Sequence, residues 1–172
     1  MPVHYAAVDG AQVLDLPYGG EAFRMTIVLP STAEGIEEAV EHLDRETWNS
    51  WIAELRPTEI FVSLPKFTLE YELTLNDVLE SLGMSIAFSG DSADFTKLYD
   101  GPVGNAYISK VKHKAFLDIN EEGTEAAAAT SVGISVVSLP PQFIVNRPFV
   151  FAIREDLSGT VLFMGKIVDP NR

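Results

Sequence analysis

Short apolar runs separated by tight-turn residues open the chain. The first three runs lie at residues 3–8, 11–16 and 23–29. Asp9-Gly10 and Gly19-Gly20 separate them. An Asp-Gly pair between two apolar runs is a strong signal for a β-hairpin. The first thirty residues are therefore predicted to form an antiparallel meander of three strands.

Helical spacing follows the meander. One predicted helix, capped by Ser31 or Thr32, has as its apolar face Ile36, Val40 and Leu43. A second helix, predicted at residues 46–55 and ended by Pro57, carries an apolar stripe of Trp48, Trp51, Ile52 and Leu55. A short third helix is predicted at residues 76–82, with Gly83 as its left-handed terminator.

The other apolar stretches predict strands. They lie at residues 60–71, 107–119, 143–153 and 161–168. Pro65 marks a bend in the first of them, because proline cannot donate to a strand ladder. The turn residues 157–159 join the last two as a hairpin. Strands dominate over helices, so the pattern predicts a mixed α+β fold with mostly antiparallel sheets.

Composition narrows the class of protein further. The 172 residues are 47% hydrophobic and include ten phenylalanines, which is enough to build a core. With 12 basic and 25 acidic residues the net charge is −13, so neither nucleic acid nor an anionic membrane surface is an expected partner. No apolar run approaches the roughly 20 residues of a membrane span. Cysteine is absent, so no disulfide framework is predicted.

The residues that usually perform catalysis are scattered. The three histidines, His4, His42 and His113, do not have the spacing of metal ligands. The sequence also lacks nucleophile-elbow, phosphate-loop and dinucleotide-binding motifs. We therefore expect a protein that is not an enzyme and needs no metal or cofactor.

One segment, residues 121–138, combines patterns that conflict with one another. Gly123 and Gly133 favour a loop, whereas four consecutive alanines at 126–129 favour a helix. Alternate positions from Thr124 onward are small or apolar, as in a half-buried strand. Such a conflict indicates a segment with two conformations.

This segment resembles the hinge and reactive-centre loop of serpins, a family of serine protease inhibitors. The resemblance gives as hinge residues Glu121, Gly123, Thr124, Glu125, Ala126, Ala127, Ala128, Ala129 and Thr130. In serpins a protease cleaves the loop, and the hinge side then enters the main sheet as a new strand. The resemblance implies the same suicide-substrate inhibition here, with the hinge and loop at about residues 121–142.

The resemblance also implies a cleavage site and two residues that control loop entry. Serpins keep a fixed distance from the hinge glycine to the cleaved bond, and this distance puts the bond between Val137 and Ser138. A small apolar residue before the bond suits an elastase-like or subtilisin-like protease as the partner. By resemblance, Lys66 pairs with Glu121 where the loop enters the sheet, and His113 belongs to a cluster that controls opening.

Segments that resemble serpin sequences occur over essentially the whole chain, in the same order as in serpins. Residues 143–153 resemble the signature after the loop, and residues 162–170 resemble the closing strand. The resemblance implies an α+β, serpin-like multi-sheet fold with mostly antiparallel strands, a few helices and an exposed reactive loop. Residues 1–172 would form the C-terminal half of a single serpin domain. The missing N-terminal half is then a further expected partner, because the strand at 107–119 would otherwise keep an unpaired edge.

Two other functions stay open at this point. A non-inhibitory or truncated serpin-like protein would behave as a protease substrate, although residues 123–130 contain none of the proline, lysine or aspartate that would hinder insertion of the hinge. An unrelated acidic β-rich binding module would show no clustered proteolysis at Val137. An extracellular location is favoured by the family resemblance alone.

Overall fold

The computed structural model describes residues 3–18, 20–120 and 141–170. The chain divides into two units, the first made of residues 1–67 and 119–172 and the second of residues 68–118. The predicted hinge and reactive bond at residues 121–138 lie outside the described residues. Their assignment therefore stays a prediction.

Strands outnumber helices in the part of the chain that the structure describes. The strands are β1 (Val3–Val8), β2 (Ala11–Tyr18), β3 (Phe23–Pro30), β4 (Arg56–Thr58), β5 (Phe61–Ser63), β6 (Phe67–Thr74), β7 (Lys112–Ile119), β8 (Gln142–Ile144), β9 (Phe149–Glu155) and β10 (Val161–Ile167). The α-helices are α1 (Gly35–Glu41), α2 (Arg45–Glu54) and α3 (Asn76–Leu79). A π-helical turn (Glu80–Met84) and a 3-10 helix (Ser85–Phe88) follow α3.

The first unit is built around one six-stranded sheet. Its strand order is β10-β9-β3-β2-β1-β4, and every neighbouring pair is antiparallel. Gly10, with φ of 71°, forms the tight turn between β1 and β2. Gly159, with φ of 69°, does the same between β9 and β10. The predicted meander and the predicted C-terminal hairpin are both confirmed.

The central strands β2, β3 and β9 are buried on both faces, which explains their nearly continuous apolar sequences. On one face, small and branched residues form a cluster with α1 and α2. Its buried members are Ala6, Ala11, Val13, Val28, Ile36 and Val150. On the other face aromatic side chains pack edge to face, with ring centroids 5.8 Å apart for Phe67 and Phe149.

The predicted helix faces are only partly buried. Trp48, Trp51 and Leu55 of the second helical segment pack against the cluster, as the stripe predicted. Asp44 caps α2, and its carboxylate accepts a hydrogen bond of 2.8 Å from the backbone N–H of Thr47. The prediction for α1 was wrong at one position, since the side chain of Val40 is 40% exposed.

Three predicted strands are shorter or more divided than the sequence pattern indicated. The stretch at 60–71 separates at Pro65 into β5 and β6, because proline interrupts the ladder. The stretch at 107–119 becomes a strand only at Lys112. The stretch at 143–153 breaks between β8 and β9, where Pro148 precedes the second strand. In each case the apolar pattern continued beyond the end of the strand.

The second unit carries most of β6 and β7, together with α3 and the turns after it. Gly83 adopts φ of 96°, so the predicted left-handed helix terminator is confirmed. In the described part of the chain, no helix combines the length and apolar character needed to cross a membrane.

Candidate functional site

The predicted reactive loop connects two anchored strands. It follows β7, which ends at Ile119, and precedes β8, which begins at Gln142. The hinge residues and the predicted bond between Val137 and Ser138 lie outside the described residues. The described part of the site therefore consists of the two flanks of the loop.

The C-terminal flank is held firmly in the first unit. Strand β8 pairs in parallel with β5, so that Val62 lies opposite Phe143. The pairing continues at both ends, where Phe61 N donates to the carbonyl of Pro141 at 3.0 Å and Val145 N donates to Ser63 at 2.8 Å. The fully buried Phe143 ring adds an edge contact with Tyr5, with centroids 6.4 Å apart. The chain that leaves the loop is thus fixed by both backbone and side-chain contacts.

The N-terminal flank is a two-stranded sheet of β6 and β7. Glu72 on β6 accepts hydrogen bonds from Lys112 and Lys114 on β7, the second at 2.6 Å. These two ammonium groups, Lys112 foremost, hold the pKa of the Glu72 carboxyl below its ordinary value. Thr68 adds a hydrogen bond of 3.0 Å to the Asp118 carboxylate at the other end of the strands.

The outer edge of β7 is the edge beside which a new strand could form. Among the described residues only β6 pairs with β7, so its other edge has no strand partner there. Apolar side chains on this sheet also remain exposed; Phe116 on β7 is 62% exposed. An unpaired ladder edge can add a further strand through main-chain hydrogen bonds.

Both residues predicted to control loop entry are exposed. His113 lies on β7, and its ring stands edge-on to Tyr71 of β6 with centroids 6.3 Å apart. Lys66 lies in the connection between β5 and β6. Its predicted partner, Glu121, is outside the described residues, so this pairing stays a prediction. The gating role of His113 likewise stays a prediction.

Sequence reasoning missed the residue that positions the start of β7. The side-chain amide of Asn76 donates to the carbonyl of Ser109 at 3.0 Å and accepts from Val111 N at 2.9 Å. Leu75 N adds a hydrogen bond of 2.8 Å to the carbonyl of Val111. The available signal was an asparagine at the start of a helix, a residue that often binds neighbouring backbone groups.

Sequence reasoning also missed a buried ionic cluster in the first unit. The carboxylate of Asp15 on β2 lies 2.8 Å from the guanidinium of Arg154 on β9 and 2.5 Å from the hydroxyl of Thr26. Arg24 Nε donates to Asp156 at 2.9 Å and lies 3.6 Å from Asp15. An acidic residue between Leu14 and Leu16, and an arginine ending the apolar run of β9, were the signals in the sequence.

Pairing of charges makes this burial tolerable, because an isolated buried charge is strongly unfavourable. Asp15, Thr26 and Arg154 are all buried. The cluster borders a cavity of about 210 Å³ whose charged and titratable lining is His4, Asp15, Arg24, Arg154 and Asp156. Within the described residues, no group of three acidic or histidine side chains is arranged to hold a metal ion.

Comparison with known proteins gives one consistent family. The model of the serpin (serine protease inhibitor) family matches residues 1–170. Antithrombin-III of Mus musculus is 37% identical over 165 residues, covering 94% of this chain and 36% of that protein. Serpin-ZXA of Oryza sativa subsp. japonica is 41% identical over 173 residues, covering 94% of this chain and 43% of that protein.

Solved structures agree with the sequence relatives. The native thermophilic serpin tengpin superimposes with a TM-score of 0.77 at 35% identity, covering 98% of this chain and 44% of that one. Uncleaved ovalbumin superimposes with a TM-score of 0.88 at 26% identity, covering 99% of this chain and 46% of that one. The chain therefore spans less than half the length of the relatives it matches.

Proposed function

Because the chain belongs to the serpin family, we propose that it carries the reactive loop of a serine protease inhibitor that is cleaved between Val137 and Ser138. The observation that carries the proposal is the family match over residues 1–170 together with a hinge, from Gly123 to Thr130, in which every residue except Glu125 is small. The matching family model is described as serine protease inhibitor, and the similar proteins include antithrombin-III. Since the chain spans less than half of its relatives, inhibition by the whole protein is part of the proposal.

The free edge of β7 among the described residues supports insertion of the hinge as a strand. About a dozen new backbone hydrogen bonds at ~0.5–1.5 kcal/mol each would stabilise the inserted form by on the order of 10 kcal/mol. The alanines and threonines of residues 124–130 present little bulk to neighbouring strands. The hinge also contains no proline, which would remove a ladder hydrogen bond.

Each flank of the predicted loop pairs with a neighbouring strand. Strand β8 keeps the C-terminal end on β5 through three paired positions, and the ladder of β6 and β7 carries the N-terminal end. After cleavage the hinge side would remain continuous with β7, whereas the other side would remain with β8. This connectivity is what separation of the two new ends requires.

The small apolar residue Val137 favours elastase-like or subtilisin-like proteases as targets. The decisive experiment mixes the full chain with neutrophil-type elastase and with subtilisin, followed by denaturing gels and mass spectrometry. We expect a cut after Val137. An SDS-stable covalent complex would support inhibition by this chain itself, whereas a clean cut without a complex would make it a substrate that needs the missing half.

A variant pair tests the position of the bond. Val137→Arg should move susceptibility from elastase to trypsin, because trypsin-like pockets accept a cationic side chain. Leu157→Arg is the matched control: it adds an arginine at a position that is 96% exposed but lies in the tight turn between β9 and β10. Trypsin cleavage that is no faster in Val137→Arg than in the control would contradict the assignment of the bond.

A further inference from the structure

The small sheet of β5 and β8 has two unlike faces, because side chains alternate along each strand. On the inner face Val62 lies opposite Phe143, and the fully buried Phe143 ring contacts Tyr5 of β1. The other face carries exposed residues from both strands. We call it the outer face, and its members are Phe61, Ser63, Gln142 and Ile144.

Phe61 is the largest side chain of the outer face. The residue is 57% exposed, although its backbone is fixed in the ladder opposite Gln142 and its N–H donates to the carbonyl of Pro141 at 3.0 Å. Ile144 adds a second exposed apolar side chain on β8. Aromatic residues are enriched in protein interfaces, and a side chain on a fixed backbone loses less freedom when a partner binds.

The outer face is close in the chain to the predicted reactive bond. Four residue steps separate Ser138 from Gln142. An extended chain spans at most about 3.6 Å per residue, so the two Cα atoms lie within roughly 14 Å of each other in any conformation. A protein interface of ordinary size covers about 800 Å² on each partner, which is a patch roughly 30 Å across. A protease seated on the bond would therefore extend over the outer face.

The absence of charge in this region indicates the chemistry of the partner surface. The chain has a net charge of −13, yet residues 126–146 include no acidic, basic or histidine residue. The three residues of β5 are uncharged as well. A charged group of the partner would lose its hydration here without gaining an opposite charge. An apolar partner surface therefore fits the outer face best.

We propose that the outer face of β5 and β8 is a second contact site for the protease that attacks the Val137–Ser138 bond. Phe61 and Ile144 pack against an apolar rim of the protease cleft, on the side that holds the residues after the bond. This inference rests on the proposed function, because its occupant is the protease that the loop engages. The contact strengthens the encounter complex and leaves the chemistry at the bond unchanged, so it helps to determine which protease reacts fastest.

The test measures the second-order rate constant for attack on the full 172-residue chain. The protease is whichever of neutrophil-type elastase and subtilisin attacks the bond faster, and mass spectrometry identifies the bond. This constant is defined whether the product is a covalent complex or a cut chain. The double variant Phe61→Thr/Ile144→Thr removes both large apolar side chains but keeps β-branched residues, which suit strands. We expect its rate constant to fall about tenfold, with attack still after Val137.

Phe163→Thr is the matched control. Phe163 is also an exposed phenylalanine in a strand, but β10 forms the edge of the six-stranded sheet opposite β4, the strand that leads into β5. Its variant should react as fast as the parent. Phe61→Leu keeps an apolar side chain and should retain most of the parent's rate. Loosening of the fold cannot imitate the expected result, because local opening accelerates proteolysis.

The outcomes separate this inference from the proposed function. An unchanged rate constant in the double variant, with attack still after Val137, would overturn the contact site and leave the proposed function standing; this result is expected if the missing half of the protein covers the outer face. Faster attack on the double variant, with loss of a dimer in sedimentation, would overturn the contact site by making a second copy of this chain its occupant. Failure of both proteases to attack after Val137 would overturn the proposed function and this inference together.

Discussion

Replacement of Gly165 by alanine probes the closest approach between β10 and β9. Gly165 lies directly opposite Phe151 in the ladder. A Cβ atom at this position would lie 2.7 Å from Cε1 and 2.8 Å from Cζ of the Phe151 ring. Ordinary contacts between carbon atoms are about 3.5–4.0 Å, so the ring or the strand must move.

The Phe151 ring has little room to move. Its residue is only 2% exposed, and its centroid lies 5.7 Å from that of Phe67. Overpacking of this kind costs about 1–3 kcal/mol. Removing a glycine from a strand interior returns about 0.5–1 kcal/mol through backbone entropy. We therefore expect Gly165→Ala to lower the free energy of unfolding by up to about 2.5 kcal/mol.

A double-mutant cycle with Phe151→Leu isolates the clash. Leucine lacks the two ring atoms that the new Cβ meets, so Gly165→Ala should be neutral or stabilising in that background. The measurement is urea denaturation of the four proteins, with the midpoints compared at constant m-value. An equal loss of stability in both backgrounds would refute the assignment of the cost to the Phe151 ring.

Three further predictions concern charged groups. Asp15→Ala should lower the free energy of unfolding by up to about 3–5 kcal/mol, because the buried Arg154 loses its carboxylate partner at 2.8 Å and keeps the more distant Asp156 at 3.5 Å. Denaturation of the double variant Asp15→Ala/Arg154→Leu should show a smaller loss. Asp44→Ala should destabilise α2 at neutral pH, because the hydrogen bond from Thr47 lowers the pKa of Asp44. The stabilisation from Asp44 is present above about pH 4 and is lost as the pH falls through the lowered pKa. The melting temperatures of the parent and the variant should therefore converge in acid. Hydrogen bonds from Ser158 lower the pKa of Glu155, so its carboxyl resonance should titrate at higher pH in a Ser158→Ala variant.

The sequence pattern was sufficient to predict the turns, helix ends and strands that depend on residues close together in the chain. Asp9-Gly10 predicted the β1–β2 hairpin because a turn of this kind needs a residue that tolerates positive φ. Gly83 predicted the end of the helical stretch that begins at Asn76 for the same reason. The apolar runs of β2, β3 and β9 predicted strands because burial on both faces requires continuous apolar residues.

Strand ends could not be predicted as well, because they depend on partners elsewhere in the chain. Apolar residues continue before Lys112 and after Ile144, yet β7 begins and β8 ends there. A strand persists only as far as its neighbour supplies donors and acceptors. Val40 shows the same limit for a helix, since its spacing fits the buried face but its side chain remains partly exposed.

The sequence by itself supplied the composition of the hinge and its distance from Val137. Together with the order of the serpin-like segments along the chain, these two properties indicated the serpin family. The ionic cluster of Asp15, Arg24, Arg154 and Asp156 was decided only by tertiary structure. Its members are separated by up to 141 positions, from Asp15 to Asp156, and meet because β2, β3 and β9 are adjacent in the sheet. Local pattern reports the face on which a residue lies, whereas the strand order determines which charges share that face.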